Sequence, residues 1–143
     1  MNLYYVPIHS NPFATFQLAL LDAATCASKK SSDARFAVDG VANIPSHLEK
    51  AVTGNVSREL KKNGTATING VAFGLQTERT QNSRAPIVFA PYVTIKFLTN
   101  LFSDGSVSEL FYVPYTEQEL EVFLSEHPEA QSLVPVEPPP SEA

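Results

Sequence analysis

The chain has 143 residues, ten Lys and Arg against fifteen Asp and Glu, 43% hydrophobic residues and one cysteine. That length buries one continuous core without staples, and a lone Cys26 rules out an internal disulfide framework. A net charge of −5 does not suit a uniformly basic nucleic-acid binder.

Leu3-Tyr4-Tyr5-Val6-Pro7-Ile8 is aromatic and β-branched and reads as a first strand. Pro7 marks either an edge position or the strand's end. Asn11 followed by Pro12 is an N-cap and first-position pair, and the apolar series Phe13, Phe16, Leu20, Ala24 and Ala27 continues at helical spacing. Leu18 and Leu21 widen that face. The segment is too short to cross a bilayer and contains Gln17 and Asp22. No Lys or Arg precedes it, so it is not expected to be a signal peptide. The expectation is an intracellular or cytoplasmic protein, a virion included, without membrane contact.

Arg35-Phe36-Ala37-Val38 reads as a short strand closed by Asp39-Gly40. Ser46 and Glu49 form a capping box for a second helix with Leu48, Val52, Val56 and Leu60 four residues apart, stopped at Asn63-Gly64. In Thr65–Phe73, Asn69-Gly70 lies between β-formers and predicts a type I′ hairpin. Ile87-Val88-Phe89, Tyr92–Phe97 and Leu110–Val113 are strand-like, with turn chemistry at Ser103–Ser106. Thr116 and Glu119 form a further capping box over Leu120, Phe123 and Leu124. The fold expected is α+β, a mainly antiparallel sheet with two or three helices. It occupies residues 1–127, with a Pro-rich, disordered acidic tail at 128–143.

No motif of good specificity carries chemistry. His9, His47 and His127 lie far apart and lack metal-ligand spacing. His9 beside Ser10 is the best catalytic candidate among them, with a plain loop histidine as the simpler reading. Cys26 sits between small residues late in an apolar helix and reads as core. Gly70–Gly74 lacks the spacing of a phosphate-binding loop. No cofactor or metal is expected.

Charge is segregated instead. Residues 1–96 hold all ten cations against six acids, and 97–143 hold none against nine. The role expected is non-catalytic: a protein–protein assembly or adaptor protein, such as a small viral, phage or accessory component. Its partners are another protein and itself as a homo-oligomer, with the interface in 65–113. One alternative is a single-stranded nucleic-acid binder inhibited by its own acidic tail. Its phosphate contacts would be Lys29, Lys30, Arg58, Lys61, Lys62, Arg79 and Arg84, with Arg35 nearby and stacking from Phe73, Phe89 and Tyr92. The other is a small enzyme without a recognisable motif.

Overall fold

The computed structural model describes residues 1–8, 11–40, 42, 44, 45, 48 and 55–133. Seven strands form one sheet: β1 (Asn2–Tyr5), β2 (Ala34–Ala37), β3 (Thr65–Ile68), β4 (Val71–Gln76), β5 (Ile87–Pro91), β6 (Glu109–Val113) and β7 (Gln131–Ser132). The described helices are α1 (Pro12–Lys29), α2 (Val56–Asn63), α3 (Ile95–Phe102) and α4 (Glu117–Glu126). Strand order is β3-β4-β2-β5-β6-β1-β7.

Helices and strands share one sheet-centred fold, as expected, but the sheet is not mainly antiparallel. Among the described strands only β3 and β4 pair antiparallel; β4-β2, β2-β5, β5-β6, β6-β1 and β1-β7 are parallel. The Asn69-Gly70 hairpin is real, with φ of 50° and 78°, yet it is local. Elsewhere α1, α3 and α4 each return the chain across the sheet, so the next strand runs the same way. Parallel strands need cover on both faces, and strands β2, β5 and β6 are buried along their whole length.

Alternation divides that cover. Phe36, Phe89, Phe111 and Val113 pack with Phe16, Leu20 and Ala24 of α1 and Leu60 of α2. Ala37, Val88, Ala90, Leu110 and Tyr112 face Phe97, Leu98 and Leu101 of α3 and Phe123 of α4. Helix α1 buries Ala19, Ala23 and Ala27 beside its larger side chains, so its backbone lies close to the sheet. Asn11 accepts the amide of Ala14 at 3.2 Å and starts it beside Pro12. Gly64 ends α2 at φ 74°. At α4, Thr116 and Glu119 make the full reciprocal capping box.

Residues 92–97 depart from the strand expectation. Tyr92 turns out of β5 at φ 58°, and Thr94 caps a helix by accepting the Phe97 amide at 3.3 Å. The Asp39 carboxylate holds that cap from the end of the neighbouring strand β2, accepting Thr94 N–H at 3.1 Å and its hydroxyl at 3.2 Å. Burying Phe97, Leu98 and Leu101 on one face overrides the β propensity of Val93 and Ile95. This adds a helix to the two or three expected.

Pro7 lies past the end of β1, which is flanked by β6 and β7 rather than at an edge. The stretch read as tail contributes Gln131–Ser132 to the sheet, paired with Tyr4 and Tyr5. The rest of it, 134–143, lies outside the described residues, as does the Ser46–Glu49 capping box. No described helix is long and apolar enough to cross a membrane.

Candidate functional site

The connections leaving β6 and β1 diverge. After β6 the chain crosses to α4 on one face, and after β1 it crosses to α1 on the other. Adjacent parallel strands that part in this way leave a crevice outside their carboxyl ends, where α/β sheets bind ligands. A cleft of about 440 Å³ occupies that place. It is walled by Val6, Pro7 and Ile8 after β1, Val113 at the end of β6 with Pro114 and Tyr115 after it, Tyr92 after β5, and Pro12 and Thr15 at the start of α1.

Its chemistry is apolar and aromatic, and none of these lining side chains is charged. The Tyr92 and Tyr115 rings meet edge to face, centroids 5.7 Å apart. Tyr92 is fixed from behind by Phe16, stacked at 6.2 Å. Burial, then the neighbouring Tyr115, pushes the Tyr92 phenol up, so it stays protonated at neutral pH. The positive φ of Tyr92 costs roughly 1–3 kcal/mol in a non-glycine residue, and such strain concentrates at ligand clamps. Glu119 pins the backbone of Tyr115 by accepting its amide at 3.2 Å, while the residue is 72% exposed. Ile8, which also lines the cleft, is 38% exposed. Thr15 turns its hydroxyl back to the Pro12 carbonyl at 3.0 Å.

The amino end of the sheet is built differently. Arg35 is fully enclosed, 0% exposed. Its Nε donates to the Ala85 carbonyl at 2.7 Å, Nη1 to Asp104 at 2.7 Å and Gln76 at 3.1 Å, and Nη2 to Ser106 at 2.7 Å. The Ser106 hydroxyl, then Arg35, hold the Asp104 carboxyl far below the usual carboxylate range. This cation therefore ties two loops and the end of β4 together and is not presented to a phosphate, contrary to its grouping with Lys29 and Lys30. Nearby, Glu109 accepts Lys30 Nζ at 3.3 Å and lies 3.9 Å from Cys26 Sγ. Burial first, then Glu109, pushes the Cys26 thiol up, which leaves it a weak nucleophile. Tyr4 moves in the same direction for the same two leading reasons.

The residues singled out for phosphate contact are carried by the end of α1, by α2 and by the connection between β4 and β5. Lys29 and Lys30 end α1 beside the start of β6. Arg84 adjoins Ala85 at the same end. Arg58, Lys61 and Lys62 share a hollow with Ser57 on α2, whose last turn leads through Gly64 to Leu75 near the carboxyl end of β4. Arg79 lies on the α3 side, in a hollow with Phe97 and Asn100. Phe73 and Phe89 are fully buried and cannot stack on bases. Much of 65–113 is likewise core, Val71 and Val93 included.

His9, Ser10 and His47 lie outside the described residues. His127 closes α4, its ring 4.3 Å from that of Phe102. Cys26 is 14 positions along α1 from Pro12, about 21 Å at 1.5 Å per residue, so it does not join the cleft. Among the described residues no three His, Cys, Asp or Glu side chains gather as a metal site. Sequence reasoning did not find the cleft. The available signal was a proline closing each of three apolar runs, at Val6-Pro7, Ala90-Pro91 and Val113-Pro114. No family model, curated protein or solved structure matches the chain.

Proposed function

We propose that the protein is a non-catalytic binding protein that holds an extended, proline-rich segment of a protein partner in this cleft. The observation that carries the reading is the lining itself: two tyrosines and three prolines at the switch point, with Tyr115 and Ile8 both exposed. Polyproline segments dock in grooves walled by aromatic side chains, because such ligands are already extended and lose little entropy on binding. Tyr92, backed by Phe16, supplies the rigid wall, and Tyr115 supplies a ring able to close on the ligand.

The test is an NMR titration of the full chain with decaproline. Pro135, Pro138, Pro139 and Pro140 are each replaced by Ser, so that the chain's own prolines do not compete. Amide shifts at Ile8, Thr15, Val113 and Tyr115, weakened about tenfold by Tyr115→Ala, are expected for loss of an aromatic anchor. No shift at those four positions up to millimolar peptide would overturn the reading.

Nucleic-acid binding is the second reading, and the Arg58, Lys61 and Lys62 hollow on α2 favours it. Salt-sensitive binding of a labelled single-stranded oligonucleotide, lost with Lys61→Glu and Lys62→Glu, would support it.

A further inference from the structure

Strand β7 runs parallel to β1 at the sheet's edge, and the amide of Leu133 donates to the Tyr5 carbonyl at 2.9 Å. The chain therefore leaves the described fold at the carboxyl end of the sheet, beside the residue that precedes Val6 of the cleft. Leu133 packs on the α1 side of the sheet beside Tyr4 and Cys26, and Pro12, Thr15 and Tyr92 line the cleft farther along the same face. The next seven residues of the chain are Val134-Pro135-Val136-Glu137-Pro138-Pro139-Pro140.

We infer that this segment is a ligand of the protein's own cleft, docking in cis across the ends of β1 and β6 against Tyr92 and Tyr115. The inference rests on the proline-binding reading of the cleft and names its first occupant. Reach is ample. Seven residues in a polyproline II helix span about 22 Å at 3.1 Å each, whereas crossing from β7, which Leu133 follows, to β5 takes three strand spacings, about 14 Å. Chemistry fits as well. Pro135 and Pro138 are three apart and share one edge of a three-residue-per-turn helix, with Val134 and Val136 as apolar flanks. The uncharged lining repels neither, and the start of α1 at Pro12 is the end of that helix where the dipole tolerates an acid such as Glu137. A partner's proline-rich segment must then displace the chain's own, which makes the tail a built-in competitor.

The experiment compares the wild-type full chain with the full chain carrying P135S, P138S, P139S and P140S. Amide shifts are recorded from about 20 μM to about 1 mM, then with added decaproline. Expected are differences between the two chains confined to Ile8, Thr15, Val113 and Tyr115 and independent of concentration. Decaproline should bind the substituted chain at least about tenfold more tightly, since a tethered segment acts at an effective concentration on the order of millimolar. Coincident spectra with equal decaproline binding would overturn the inference and leave the cleft reading intact. Differences that grow with concentration would overturn docking in cis, because the segment would then be entering a second copy. Failure of the substituted chain to bind decaproline at all would overturn the cleft reading itself.

Discussion

The two ends of the sheet solve opposite problems. At the amino end, loops that precede β5 and β6 are tied to β2 by a single enclosed arginine, and Glu109 at the start of β6 is tied to Lys30. At the carboxyl end, proline-terminated strands separate and leave apolar surface to solvent. Charge at one end fixes loop positions; aromatic surface at the other stays open, and the proposed proline-rich ligand would use it. The same contrast accounts for part of the charge split along the chain. Asp104 and Glu109, two of the nine acids after residue 96, are spent on Arg35 and Lys30 from the first third. A sequence-wide asymmetry is thus partly a set of cross-chain pairs rather than a segregated surface.

Substitutions at the two ends should therefore differ in kind. The largest effect is expected at Asp104. Asp104→Ala leaves the Arg35 guanidinium buried without its carboxylate, a loss of about 3–5 kcal/mol for a buried pair. Because Asp104 is 27% exposed, the lower end, about 3 kcal/mol, is expected in urea unfolding. Its carboxyl is depressed in the fold, so its contribution is complete above the unfolded carboxylate value of about 3.9 and fades as pH falls below it. The variant should lose that part of the acid dependence. Gly74→Ala comes next, since a Cβ there would lie 2.5 Å from Ser83 Cβ and 3.1 Å from the Asn82 carbonyl. Overpacking of this kind costs about 1–3 kcal/mol, read from the denaturation midpoint. Thr116→Ala removes half of the α4 capping box at a cost of about 1 kcal/mol.

At the other end the expectation reverses. Tyr115→Ala should leave stability within about 0.5 kcal/mol and weaken decaproline binding about tenfold. A stability loss as large as that of Asp104→Ala would erase the contrast between the ends. The smallest effect is expected at Tyr112→Phe. Its hydroxyl is buried without a hydrogen-bond partner among the described residues, so its removal should be neutral or slightly stabilising by thermal melt.

Local chemistry is legible in the sequence. The Asn11-Pro12 start, the Asn69-Gly70 hairpin, the Gly64 stop and the Thr116–Glu119 box each depend on a few adjacent residues, and each stands where the sequence places it. Strand pairing is not legible. Leu3 pairs with Leu110, more than a hundred residues away, and nothing near either residue states the other's direction. Thr94 reads as a strand residue until Asp39 is placed against it, because its cap lacks the Glu three residues later that marks Thr116. Arg35 reads as one more surface cation because arginine is seldom enclosed, and its four acceptors come from positions 41 to 71 residues later. The cleft is hidden for the same reason, being assembled from the ends of three strands and one helix.

The most direct test of the central claim is a chemical-shift map of the proline-substituted full chain with decaproline. Shifts are expected to cluster at Ile8, Thr15, Val113 and Tyr115, with the Arg35, Asp104 and Ser106 amides unmoved. Shifts centred on the α2 hollow or the amino end, with the cleft silent, would contradict a proline-binding role for the carboxyl end of the sheet.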